Sequence, residues 1–401
     1  MTTDAVPTPE QVAATRTDVT PPPLLATASE AVAKLEAAWA KPDAAVSTGL
    51  HQLDAVLAGG LRPGNLVAIT AAAKAGKSAL FGQVAYEAAK RGAIFIYASA
   101  EMSDAEVAAR YVVREMFLRA EESDWAVSYS DVLYGKARRG ELCTADAANE
   151  RVRKRLEQAA AEVANHERFY IKRLPLGATP KDLRSMVEEA RAKHPSAPGD
   201  APRLAVLLVD PLQRLYGSKH GAIEGRALDT LNANETQRVG HVAGELKAMA
   251  DDAALNLAIL FTSDTTKSAA ANNASSVVGL RGSYELNHWA THIFGLVVAP
   301  TDDELAEKLS DYDLKDFKEW ADQLLKPCDR AKLPDAALLG LKVAFLECSG
   351  SRAAAASHSV FYTVPGAMCF LEGSDAKDTV AANQKNTVTG PKRRQWKGGK
   401  D

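Results

Sequence analysis

The chain is poor in the groups that build redox and metal centres. Its four cysteines, Cys143, Cys328, Cys348 and Cys369, stand far apart, with no C-x-x-C among them. That argues against a zinc ribbon or a disulfide framework and fits a reducing compartment. The eight histidines show no metal-ligand spacing either. No apolar run approaches the ~20 residues that cross a bilayer, so no membrane is expected as a partner. The opening Met1-Thr-Thr-Asp-Ala-Val-Pro7 lacks the basic and apolar segments of a secretory leader. A charge excess is missing as well. The net charge is −3, so any affinity for a polyanion must come from local patches. The 401 residues are 46% hydrophobic and 25% charged. That suits two average domains, or one large α/β domain with appendages. No repeat of solenoid period is present.

What the chain does have is a phosphate loop. Leu66-Val-Ala-Ile-Thr70 reads as a buried strand, and Ala79–Lys90 has helical spacing. Between them lies Ala71-Ala-Ala-Lys-Ala-Gly-Lys-Ser78. Strand, small-residue turn, Gly-Lys-Ser and helix form the layout of a nucleotide cradle. Backbone N–H groups from Ala73, Lys74, Ala75, Gly76 and Ala79 are expected to face the phosphates, where the helix dipole favours negative charge. Lys77 would reach the β- and γ-phosphates, and the Ser78 hydroxyl would hold Mg²⁺. The expected ligands are therefore ATP and Mg²⁺. One residue departs from G-x-x-x-x-G-K-[ST]: Ala71 stands in place of the first Gly.

Two carboxylates join this loop. Ala93-Ile-Phe-Ile-Tyr-Ala98 is a second strand, closed by Ser99-Ala-Glu101. Glu101 thus sits at a strand's C-terminal end, where ligands bind in open α/β sheets. There it can deprotonate a water attacking the γ-phosphate. Leu204-Ala-Val-Leu-Leu-Val-Asp210 is a continuous apolar run that fits a central parallel strand. The acid that closes it, Asp210, reads as a Walker B residue.

The rest of the chain frames these segments. Residues 1–46 read as a Pro- and Thr-rich mobile arm ending in a short helix, with Thr27 and Glu30 at capping-box spacing and Val32, Leu35 and Trp39 in a stripe. In residues 47–65, Leu50, Leu53, Val56 and Leu57 form one helical face, stopped by Gly59-Gly60. Residues 105–168 are helical in pattern, broken at Gly135 and Gly140, and Phe169-Tyr-Ile171 is a short strand. Thr179-Pro180 opens a helix, and Glu235–Asp252 forms another. Leu257–Thr262, His292–Ala299, Leu341–Leu346 and Ser359–Thr363 are further strands, the last two forming a hairpin. Residues 217–234 and 265–279 are polar, small-residue loops, and 301–326 is a charged helical insertion. Residues 374–401 form a basic tail expected to be disordered. The fold class expected is α/β: a P-loop NTPase with a mostly parallel sheet, flanking helices and a late hairpin.

Several of these stretches together resemble the ATPase domain of DnaB-type replicative helicases. They are Leu53-Asp54…Gly59-Gly-Leu-Arg-Pro-Gly64, the loop Ala71–Ser78, Ser99-Ala-Glu-Met-Ser103 with Arg110, and Asp210-Pro-Leu-Gln-Arg-Leu215. Leu246-Lys-Ala-Met-Ala250 and Leu280-Arg-Gly-Ser283 continue in order. The family often carries Ala where other phosphate loops have the first Gly, which accounts for Ala71. The resemblance implies a recombinase-like core over residues 47–373, assembled into a ring, usually a hexamer, around single-stranded DNA. It implies Gln213 and Ser263 near the γ-phosphate, and DNA-facing loops carrying Lys219, Arg226 and Lys267. It implies a cytoplasmic protein of a bacterium or phage-infected host, with a loader or primase as partner.

Three departures stand against that pattern. The family's Lys-x-Arg, which reaches a neighbour's site, falls here at Leu346-Glu-Cys348, leaving Arg352 as the candidate finger. Ser263-Asp264-Thr265 replaces the family's Ser-Gln-Leu. The 46 residues ahead of the core are too few for the family's N-terminal domain. The competing readings are a recombinase-like mediator ATPase and a DNA-binding assembly subunit with weak ATPase activity.

Overall fold

The computed structural model describes residues 27–39, 44–121, 124–197, 200–217, 235–264, 286, 288–301, 304, 315, 318, 319, 321, 325, 339–351 and 358–372. The chain separates into two units, Met1–Ala44 and Ala45–Asp401. In the first, helix α1 (Ala28–Trp39) starts on the expected capping box. The Glu30 carboxylate accepts from the Thr27 N–H at 2.7 Å, and the Thr27 hydroxyl accepts from the Glu30 N–H at 3.2 Å. Outside the described residues lie the arm before Thr27, the loop cations Lys219, Arg226 and Lys267, most of 301–326, Arg352, and the tail from 374.

The second unit is built on a nine-stranded sheet in the order β3-β2-β4-β5-β1-β6-β7-β8-β9. Strands β1 (Leu66–Ala71), β2 (Ile94–Ser99), β3 (Phe169–Arg173), β4 (Ala205–Asp210), β5 (Leu257–Asp264) and β6 (His292–Ala299) run parallel. Strands β7 (Lys342–Ser351), β8 (His358–Val364) and β9 (Cys369–Leu371) add on antiparallel. Every residue of β1, β2 and β4 is buried. These are the near-continuous apolar runs that a sheet covered on both faces requires.

Alternate side chains feed two cores. One face packs Val67, Phe95, Val206 and Leu260 under α3 (Lys77–Lys90), with Leu80, Phe81 and Val84 from the helix. The other packs Ala68, Ile96, Leu207 and Ile259. It is covered by α8 (Pro180–Lys193) and α9 (Glu235–Asp251), through Leu183, Val187, Val242 and Leu246. The helical region splits into α4 (Asp104–Leu118), α5 (Tyr129–Leu133), α6 (Lys136–Arg139) and α7 (Asp146–Ala164). The breaks fall at Gly135 and Gly140, both in the left-handed region that favours glycine.

The lead-in to the phosphate loop is closed by Asp54. It lies on α2 (His51–Val56), and its carboxylate accepts from the Ser47 and Thr48 hydroxyls and the Thr48 N–H. Gly60 follows at φ +132°, and a Cβ there would lie 2.3 Å from the Val46 carbonyl oxygen, so only glycine fits. Glu372, just past β9, caps α2 by accepting from the His51 and Gln52 N–H groups, both at 2.7 Å. Two glutamines fasten the antiparallel side. Gln52 bonds both backbone groups of Val360, and Gln83 of α3 bonds both backbone groups of Phe370.

The late hairpin differs from expectation in length. The strand expected to end at Leu346 runs on to Ser351, because β6 keeps pairing with it as far as His292↔Ser351, across an irregularity at Ile293/Phe294. Leu346, Glu347 and Cys348 therefore lie inside the sheet, and all three are buried.

Candidate nucleotide-binding site

Ala71 explains its own departure from the motif. It is the last residue of β1, pairing with Asp264 and Leu296, and its methyl packs in the core. The backbone there does not have the positive φ that demands glycine. The turn that does need it comes at Gly76, φ +97°, which caps α3 from the left-handed region. A Cβ at Gly76 would approach the Phe370 ring to 3.2 Å, so β9 backs the loop. Lys74 is also left-handed, at φ +63°. For a non-glycine residue this costs about 1–2 kcal/mol, strain of the kind found at ligand sites. Lys77 folds back over the loop, its Nζ donating to the Ala71 carbonyl at 3.1 Å.

Asp210 is the hub. It ends the central strand β4 and is buried. Its Oδ1 accepts from Ser78 Oγ at 2.9 Å and from Thr262 Oγ1 at 2.6 Å. Its Oδ2 accepts from the Tyr97 hydroxyl at 2.5 Å. The flanking strands deliver these donors. Ser99 of β2 pairs with Asp210, and Tyr97 sits two residues earlier. Phe261 of β5 pairs with Val209, and Thr262 is next. Burial, and then the negative charge of Asp210, push the Tyr97 phenol well above its ordinary range, so it remains a donor.

The C-terminal ends of β2, β4 and β5 bring the remaining candidates to the same edge of the sheet. Gln213 donates through Nε2 to Ser263 Oγ at 2.6 Å, and its buried Oε1 has no partner among the described residues. Glu101 lies just past β2 and is exposed, its Oε1 3.3 Å from Nη2 of Arg214. Arg110, on α4, lines a small recess together with Ser78, Ala79, Gly82 and Tyr111. A Cβ at Gly82 would stand 2.8 Å from the Tyr111 hydroxyl, so glycine lets α4 close on α3.

The donors suit Mg²⁺. A hydroxyl and a carboxylate are hard oxygen ligands, and Mg²⁺ takes one or two such groups plus phosphates and waters. Among the described residues no group of three or more His, Cys, Asp or Glu is placed to hold a metal ion, and such a nucleotide-borne ion does not need one. Ser78 and Asp210 are the residues that would hold it.

Tyr97, Thr262 and Arg214 were not anticipated from the sequence. The signal for the first two was a hydroxyl near the end of an otherwise apolar strand. Arg214 left no signal beyond its place beside Gln213.

The fold and the loop define a P-loop ATPase on a mostly parallel, recombinase-like sheet. The model of the DnaB-like helicase C-terminal domain family matches residues 45–296, and the chain belongs to that family of ATP-driven DNA helicases. A DnaB-like replicative helicase solved with its interactions with primase is similar in structure. It is 16% identical with a TM-score of 0.59, the match covering 86% of this chain and 67% of that one. A second solved structure, that of an ATPase domain, is likewise 16% identical, with a TM-score of 0.60, covering 86% of this chain and 98% of that one. At this identity the likeness speaks for the fold. No curated protein matches the sequence.

Proposed function

We propose that residues 47–373 form an ATPase domain that binds Mg²⁺-ATP on the loop Ala71–Ala79 and uses its hydrolysis to move along single-stranded DNA during replication. Residues 1–46 and the basic residues 374–401 flank it. The observation that carries the reading is the 2.9 Å bond from Ser78 on the loop to Asp210 on β4. It joins the phosphate cradle to the acid that a nucleotide-bound Mg²⁺ requires. When bound, that ion neutralises charge on the β- and γ-phosphates.

The other groups then have distinct tasks. Lys77 exchanges the Ala71 carbonyl for phosphate oxygens. Backbone N–H groups of residues 73–79 face the same phosphates. Glu101 orients the attacking water and takes its proton. Its exposed pair with Arg214 is worth no more than about 1 kcal/mol and opens readily. Gln213, whose Oε1 has no partner among the described residues, and Ser263 sit towards the γ-phosphate.

In this reading the chain works as a ring, a hexamer as is usual in the family, with nucleotide between subunits and Arg352 reaching a neighbour's site. Lys219, Arg226 and Lys267 touch the DNA backbone in the channel. Repetition around a ring multiplies each charge, so a modest patch per subunit suffices. A loader or primase is the matching protein partner, in the cytoplasm of a bacterium or phage-infected host.

The test is ATP hydrolysis with and without single-stranded DNA. Stimulation by DNA, and its loss in Lys77→Ala, are expected. Absence of stimulated hydrolysis in the unaltered protein, or a fully active Lys77→Ala, overturns the reading. Particle mass measured with ATP, with and without DNA, reads the ring.

A further inference from the structure

We infer that Tyr97 and Thr262 are positioning residues for the divalent cation of the nucleotide, acting by clamping Asp210 from the two strands beside it. The inference rests on the proposed role of Asp210 toward Mg²⁺ and extends it to two residues of the sheet.

An ionised carboxylate offers about four lone-pair sites. In Asp210 three hydroxyls fill such sites: Ser78 and Thr262 on Oδ1, Tyr97 on Oδ2. They are not equivalent. Ser78 belongs to the phosphate loop and is itself the expected metal ligand, so it lies on the part of the site that meets the nucleotide. Tyr97 and Thr262 stand on β2 and β5, strands hydrogen-bonded to β4 along their length. Their hold on the carboxylate does not depend on nucleotide. One donor on each oxygen, from opposite sides, stops the carboxylate plane from turning. The remaining capacity of Oδ1 then faces Ser78, where the ion's shell would lie.

Packing alone does not explain the two hydroxyls. Each stands in a strand of buried apolar residues, Ile94–Ala98 and Leu257–Phe261. Burying a hydroxyl there costs free energy unless it is bonded, and Phe or Val would pack at least as well. The Tyr97 ring is fixed in turn. It lies against Tyr111 with centroids 6.4 Å apart and planes at 84°, and against Phe95 at 6.1 Å. A phenol so held delivers its hydrogen to one point.

Groups that orient a metal's ligands typically contribute about 10- to 100-fold in metal affinity or activity. The experiment uses the full chain carrying Tyr97→Phe or Thr262→Val. A fluorescent ADP analogue is titrated at increasing Mg²⁺, and again in chelator without metal. Direct Mn²⁺ binding by electron paramagnetic resonance, in the presence of ADP, is the second readout. Each variant is expected to need about tenfold more Mg²⁺ for half-maximal binding. Metal-free binding stays as in the unaltered protein, and Thr262→Ser restores the midpoint. An unchanged Mg²⁺ midpoint overturns the inference. Equal weakening with and without metal also overturns it, since that is what a merely structural role predicts. If Tyr97→Phe does not fold, Thr262→Val against Thr262→Ser decides. Asp210→Asn separates the two levels. If it leaves the Mg²⁺ midpoint in place, the proposed role of Asp210 falls. If it shifts the midpoint and the clamp variants do not, only the clamp falls.

Discussion

The parallel strands β2, β4 and β5 carry hydroxyls and carboxylates at their C-terminal ends, whereas the antiparallel β7 buries Leu346, Glu347 and Cys348 inside the sheet. On the parallel side Tyr97, Thr262 and Ser78 converge on Asp210, and Gln213 meets Ser263. On the antiparallel side Leu346 and Cys348 are 1% and 8% exposed, so neither side chain reaches the surface. The family match stops at residue 296, within β6, at the seam between the two sides. The difference separates two kinds of geometric requirement in one catalytic design. Groups that act within a chain are fixed by a strand register, and one slipped residue would turn each to the other face. In the proposed ring, a group acting on a neighbour would leave from beyond the end of a strand. Here β7 runs on to Ser351, and the next residue is Arg352.

Arg352→Ala is the largest expected effect. An arginine finger contributes about 10³- to 10⁵-fold to turnover. Hydrolysis should fall by about 10³-fold or more, while a fluorescent nucleotide still binds. Normal turnover would place the cation elsewhere and break the comparison.

The seam offers the next test. His292 opens β6 and is buried, and burial pulls its imidazole from 6.5 down to about 4. Between those values the unfolded chain binds a proton that the native one refuses. This contribution to stability is complete above about pH 6.5 and is lost as the pH falls toward 4. The loss amounts to about 3 kcal/mol. Urea unfolding at a series of pH values should show that slope, and His292→Leu should flatten it. An unaltered slope would mean that other groups carry the pH dependence.

Arg214→Ala is the smallest. Its pair with Glu101 is exposed on both sides, so stability should change by under about 1 kcal/mol. A collapse of hydrolysis as deep as that expected for Arg352→Ala would put the essential cation within the same chain. Steady-state turnover and thermal unfolding distinguish the two outcomes.

The elements were legible where the pattern is local. The strand His292–Ala299 was read with its observed bounds, and Thr179-Pro180 opens a helix with a full capping box. The loop, Asp210 and Glu101 could be placed at strand ends from the sequence, and strand ends collect ligand groups in this kind of sheet. Tyr97 was read only as part of a buried run, since its function depends on a strand more than a hundred residues further on. Gln52 and Gln83 leave no signal of their partners in the local sequence. Their partners, Val360 and Phe370, lie on strands that pair late in the chain. The length of β7 was missed because its continuation, Glu-Cys-Ser-Gly-Ser351, has no strand pattern of its own and is held by β6.

The bond between Gln83 and Phe370 also sets an order of events during synthesis. The two residues are 287 positions apart. At about 5–20 residues per second, the loop helix leaves the ribosome on the order of 15 to 60 s before the strand that backs it. Until then Gly76 has no Phe370 ring behind it, and the Gln83 amide has only water. The nucleotide cradle, encoded in the first quarter of the chain, is among the last parts of the protein to be finished.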